Sequence, residues 1–142
     1  MSHKRDHIAA VTRNFEGQDL DAHYLGFFDC FNRQLFFEAH EVLEVLWLPS
    51  RRGPDDAFYK GLIQLAGAFV HLQKNRLGPA AALFHLAHTN LEKYPALHHS
   101  LDVPAVLTLI SEWLARLEPA APSTNPLSLA TAPTLRLSPI RY

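Results

Sequence analysis

The chain has 142 residues, of which 48% are hydrophobic and 19% charged, a size and balance that suit one folded domain and exclude a disordered polyelectrolyte. Thirteen lysines and arginines against fourteen acidic residues leave a formal net charge of −1, which excludes a broad basic field for nucleic acid or anionic lipid. No apolar run approaches the length of a membrane span and "MSHKRDHIAAVTRNF" has no apolar signal core, so a cytoplasmic protein without membrane partners is expected.

In chain order, a short helix over residues 5–15 is the first candidate element. Residues 21–48 then read as one long helix: Asp21 can cap it, no proline precedes Pro49, and Phe28, Phe31, Leu35, Ala39, Val42 and Leu46 recur at three- and four-residue steps. The single cysteine, Cys30, excludes an intramolecular disulfide, suits a reducing compartment and reads as a small core residue. "SRRGPDD" supplies a polar loop whose Asp55 or Asp56 can cap a second helix over residues 56–76. Gly78-Pro79 opens a third helix that halts before Pro95, and Asp102 with Pro104 opens a fourth striped by Leu107, Ile110, Trp113, Leu114 and Leu117. Five of the ten prolines fall in the last 24 residues, where Leu127, Leu129, Leu135, Leu137 and Ile140 are suited to strap an extended tail across the helices. The expected architecture is all-α: an antiparallel helical bundle of four main helices, residues 1–118 as one domain, followed by a Pro-rich extended tail, residues 119–142.

The first long helix carries polar residues inside an oily run. At about 100° per residue, Asn32, Phe36, Ala39, Leu43 and Trp47 share a face, with His40 at its margin and Glu44 a little further round, while Glu41 and Glu38 turn away. The second helix is apolar nearly all round except for a strip of Lys60, Gln64, Gly67, Ala68 and His71. Gly61 and Gly67 each cost about 1 kcal/mol of helix propensity relative to alanine, which points to close backbone approach. If that strip faces the first helix, Asn32, His40, Glu44, Gln64 and His71 meet in a crevice walled by Phe36 and Trp47. An unpaired buried polar group costs about 1–3 kcal/mol, so such a set must satisfy itself or a ligand.

"FNRQLFFEAHEVLEVLW" followed by "FYKGLIQLAGAFVHLQKNRLGPAAAL" resembles the bacterial and archaeal domain-of-unknown-function family numbered 309, over about Tyr24 to Tyr94. The resemblance implies a small helical bundle and marks Asn32, the Glu-Ala-His-Glu element from Glu38 to Glu41, Glu44, Trp47 and the Gly-Leu-Ile-Gln element from Gly61 to Gln64. It implies no activity.

His40 and Glu44, at i and i+4, can grip one divalent metal ion from a single helix face, although "HEVLE" puts glutamate where a zinc-protease motif has its second histidine. The same pair could move a proton, yet no nucleophile elbow, phosphate-cradling loop or dinucleotide fingerprint accompanies it, so whether the protein is an enzyme stays open. The leading reading is a crevice that binds a small ligand or a divalent metal through His40, Glu44 and Gln64, with Asn32, Glu41, Glu38, Trp47 and His71 around it. The alternative is a non-catalytic interaction module whose network only sets helix register, its partner another protein or a second copy of the chain. His85, His88, His98 and His99 read as surface or packing residues, and Arg51-Arg52 and Lys74/Arg76 as local solvated charges.

Overall fold

The computed structural model describes residues 3–13, 15–17, 20–118 and 125–138. It is mainly helical, with six helices among the described residues: α1 (His3–Arg13), α2 (Ala22–Asn32), α3 (Phe36–Ser50), α4 (Asp56–Gln73), α5 (Leu77–Leu91) and α6 (Val103–Leu117). A small antiparallel hairpin, β1 (Leu97–His98) and β2 (Leu101–Asp102), precedes α6. No described helix is long and apolar enough to cross a membrane.

The local starts follow the side chains that can satisfy orphan N–H groups. Asp21 accepts from the His23 amide at 2.7 Å, and Asp102 accepts from the Ala105 amide at 3.0 Å with Pro104 in the first turn of α6. Neither Asp55 nor Asp56 caps α4 in this way; both carboxylates are turned to other partners.

The expected single helix over residues 21–48 is two. At its break Gln34 takes φ 63°, its amide donates to Phe31 O at 3.0 Å, and the Leu35 amide donates to Cys30 O at 2.9 Å. These are the two reversed bonds of a Schellman ending, normally built on glycine or asparagine. The end of α4 uses the same device at Asn75, φ 58°, with amides of Asn75 and Arg76 donating to Leu72 O and His71 O at 3.0 and 2.8 Å. Gln73 Nε2 donates to Gln34 O at 3.1 Å, so the two corners are tied together.

Breaking the helix lets α2 and α3 deliver separate aromatic rings to one place. Phe69 of α4 lies 5.6 Å from Phe31 (α2), 5.0 Å from Phe36 (α3), 5.1 Å from Phe84 (α5) and 5.0 Å from Trp113 (α6), centroid to centroid. Three of these contacts are edge-to-face and the Phe36 contact is stacked, geometries that add roughly 0.5–1.5 kcal/mol per pair to area burial. All five rings are buried.

The small-residue strip of α4 faces α5, not α3. A Cβ on Gly61 would lie 2.8 Å from Leu91 Cγ and 3.2 Å from Asn90 Cβ, and one on Gly67 would lie 3.2 Å from Leu83 Cδ1. The glycines do mark close approach, but to the next helix in sequence. α1 makes a similar approach at Gly26, where a Cβ would sit 2.9 Å from Val11 Cγ1.

Residues 125–138 contain no helix. Leu135 is buried, Leu127 and Leu137 pack against the core, and Leu129 is 87% exposed; Ile140 lies outside the described residues. Leu137 bridges Leu101 in antiparallel fashion, the Ser138 amide donates to Ser100 O at 2.6 Å, and the Asn125 side chain donates to Leu72 O.

Two outcomes follow from this packing. Gly61→Ala should destabilise the protein by about 1–3 kcal/mol despite alanine's better helix propensity, because Leu91 is wholly buried and has little room to yield; denaturant unfolding measures it. Cys30 is wholly enclosed, and burial, then the nearby Asp29 and Glu38 charges, pushes its thiol up to about 11. Because the folded state favours the neutral thiol, that contribution to stability is present below the thiol's ordinary range and is lost as pH rises through about 11. At about pH 8 a disulfide reagent should label Cys30 only as fast as the protein opens, and speed up with denaturant.

Candidate functional site

The loop between β1 and β2 has only two residues, His99 and Ser100, at φ 46° and 63°. A two-residue hairpin with both central residues left-handed is ordinarily made of Asn-Gly; a β-carbon there costs roughly 1–2 kcal/mol per residue. Surrounding contacts hold the strain in place. Tyr24 OH donates to His99 O at 2.9 Å, the Val103 amide donates to Ala96 O at 3.0 Å, and the Ser138 amide engages Ser100 O.

The hairpin sets two imidazoles against one carboxylate. His98 Nε2 is 2.7 Å from Asp55 Oδ1 and His99 Nε2 is 2.9 Å from Asp55 Oδ2. Carboxylate oxygens only accept, so in this arrangement both Nε2 atoms carry the proton. Asp55 stands at the entry to α4, where the Tyr94 hydroxyl donates to Pro54 O at 2.8 Å and accepts from the Phe58 amide at 2.9 Å, fixing the backbone on either side. Aromatic rings enclose the histidines. Phe58 and Tyr94 lie 4.7 and 4.8 Å from His98, and Tyr59 is nearly parallel to His99 at 6.2 Å.

The electrostatics match this layout. Partial burial opposes the charge on Asp55, but hydrogen bonds from His99 and His98 outweigh it and hold the carboxyl below its usual range. Burial, then the Asp55 charge, pushes the Tyr59 phenol up to about 12, and burial also raises Tyr24 and Tyr94. The tyrosines are therefore neutral at physiological pH, and the hydroxyls of Tyr24 and Tyr94 serve as hydrogen-bonding groups.

One carboxylate oxygen and two imidazole nitrogens, all within 4.8 Å of one another, form the one group of three or more His, Cys, Asp or Glu side chains suited to a metal ion among the described residues. To offer its Nε2 lone pair to an ion, each histidine would have to carry its proton on Nδ1 instead, giving up its hydrogen bond to Asp55.

The residues singled out from the sequence are dispersed by the fold. His40 and Glu44 do meet, at 3.6 Å, while His40 Nδ1 lies 3.2 Å from Phe37 O. Asn32 is committed to the C-terminal segment: its Nδ2 donates to Leu135 O at 2.8 Å and its Oδ1 accepts from the Leu135 amide at 2.7 Å. Gln64 accepts from Asn90 Nδ2 of α5 at 2.7 Å, and Trp47 Nε1 donates to Asp56 Oδ1 at 2.8 Å. Glu38 and Glu41 are half-buried on α3, and Glu38 lies close enough to raise the Cys30 thiol. His71 Nδ1 is buried in the last turn of α4 with no hydrogen-bond partner among the described residues. The expected crevice joining Gln64 to His40 and Glu44 is thus revised, because Gln64 and the glycines beside it face α5.

Asp55, His98 and His99 escaped the sequence reading. Asp55 resembled a helix cap, and the histidine pair lay in a connector with no ligand spacing to any other donor. The available cue was the vicinal His-His flanked by Leu97 and Leu101, too short to announce a hairpin.

Residues 24–83 match the family described as Domain of unknown function (DUF309), which bears out the resemblance over α2, α3, α4 and the start of α5. No curated protein and no solved structure matches the chain. The matched stretch contains Asp55 but ends before His98 and His99.

If the Asp55 clasp anchors the hairpin, Asp55→Ala should cost about 1–3 kcal/mol by leaving two half-buried imidazoles without an acceptor. Hydrogen exchange should quicken at residues 97–102 and stay slow in the middle of α4.

Proposed function

We propose that this protein binds a divalent transition-metal ion through Asp55, His98 and His99. The observation that supports the reading most is the convergence of two consecutive imidazole Nε2 atoms on the two oxygens of one carboxylate, by a hairpin whose non-glycine residues are both left-handed. Strain of this kind persists where surrounding structure over-determines it, and it gathers at functional sites. A mixed imidazole and carboxylate donor set suits zinc and its neighbours, and three protein ligands leave a coordination position for water or a further ligand. Bound there, such an ion supplies Lewis acidity. Tyr59 and Phe58 shield the imidazoles, and Tyr94 keeps Asp55 oriented.

This reading retains the divalent ion expected from the sequence and moves it away from His40 and Glu44. Among the described residues that pair has no third His, Cys, Asp or Glu ligand atom within metal-binding range. A second reading has one observation in its favour. At 2.7 and 2.9 Å the Asp55 contacts are complete hydrogen bonds without an ion, which suits a clasp that only joins the hairpin to α4.

Elemental analysis and native mass spectrometry of the purified protein, with thermal melts in zinc and in chelator, separate the two. Metal binding predicts one ion per chain and a stabilisation of about 2.7 kcal/mol at one hundred times the dissociation constant, both lost in His98→Ala/His99→Ala. A protein that holds no metal and melts identically with and without zinc is the clasp.

A further inference from the structure

The connection from α3 to α4 is a type II turn made from residues that disfavour it. The Gly53 amide donates to Ser50 O at 3.0 Å, Arg51 takes φ −58°, ψ 137°, and Arg52 takes φ 69°. Position i+2 of such a turn calls for glycine or asparagine, yet the chain puts arginine there and glycine one residue later. The conformation brings the Arg52 amide to Asp56 Oδ2 at 2.9 Å and leaves both arginine side chains exposed at the edge of a groove.

That groove measures about 500 Å³ and is lined by Trp47, Leu48, Arg51, Arg52, Asp56 and Lys60. A smaller hollow of about 250 Å³ shares Asp56 and Lys60 and adds Lys93 and Asn90. Four cations therefore gather around one carboxylate, in a chain whose formal net charge is −1. The carboxylate is already engaged by neutral donors, the Trp47 indole N–H at 2.8 Å and the Arg52 amide. Among the described residues no salt bridge takes up Arg51, Arg52, Lys60 or Lys93. Arg51 instead lies over the Trp47 ring, 5.8 Å from its centroid, and Lys93 donates to Asn90 Oδ1 at 3.3 Å.

A concave surface of small-molecule size, with several cations unmatched by acidic neighbours, selects a multiply charged anion. Two guanidinium forks favour the tetrahedral oxygens of phosphate, and the indole beside them offers an apolar wall. We propose that the α3–α4 turn binds a small phosphorylated molecule, its phosphate groups held by Arg51, Arg52 and Lys60 against Trp47. The site is separate from the metal reading: Asp56 serves this groove, whereas its neighbour Asp55 faces the histidines.

The test is isothermal titration of the full chain with sodium pyrophosphate, at low salt and in the presence of a metal chelator. Saturable binding is expected, weakened about tenfold or more in Arg51→Ala/Arg52→Ala and weakened as salt is raised. Arg52→Gly keeps the proposal falsifiable if the double variant folds poorly. It removes the cation while giving the turn the residue it favours, so its melting temperature should hold or rise while pyrophosphate affinity falls. His98→Ala/His99→Ala should bind pyrophosphate as the wild type does. No saturable binding by the wild type, or equal affinity in Arg52→Gly and the double variant and the wild type, overturns the proposal. So does binding that needs added divalent metal and vanishes in the histidine variant.

Discussion

The rest of the fold is arranged around the ring of Phe69. Rings from α2, α3, α5 and α6 all reach it within 5.6 Å, so the middle of α4 is where the other helices meet. Burying that many aromatic faces at one point leaves no space for polar groups beside it. Several polar side chains of α2, α3 and α4 are engaged away from it, each by a different neighbour: Asn32 with Leu135, Trp47 with Asp56, Gln64 with Asn90.

Charge and chemistry instead collect where the backbone turns. Five non-glycine residues among those described have positive φ: Gln34, Arg52, Asn75, His99 and Ser100. Gln34 and Asn75 end helices, and their strain is offset by hydrogen bonds to carbonyls that would otherwise be orphaned. Arg52, His99 and Ser100 have a different setting, because each belongs to a turn that brings ionisable side chains to one end of α4. Asp55 and Asp56 are adjacent in sequence but point into separate networks, one of imidazoles and one of indole and backbone amide. The start of α4 thus carries both the Asp55 clasp and the cationic groove.

The C-terminal segment acts on the same end through the hairpin. Asn32 presents an amide that mimics a backbone peptide and pairs with both polar groups of Leu135, which is how a lone side chain can stand in for a neighbouring strand. Leu137 and Ser138 then continue along Leu101 and Ser100, bracing the turn that carries His99. The strained loop is held from the α2 side by Tyr24 and from the other by the last described residues.

Helix content, the caps at Asp21 and Asp102, the buried Cys30 and the close approach at Gly61 were legible in the sequence because each depends on a few neighbouring residues or on their periodicity. The break after Asn32 was not, since Gln34 has no intrinsic preference for left-handed backbone, whereas the same ending at Asn75 uses a residue that has one. The helical wheel showed that Gln64 and Gly67 share a face with small neighbours, but a wheel carries no information about which helix covers that face. Tertiary packing decided that it is α5. It also decided the candidate site: Asp55 and the histidines are more than forty residues apart in the chain, and only the hairpin's fold back onto the head of α4 closes the distance.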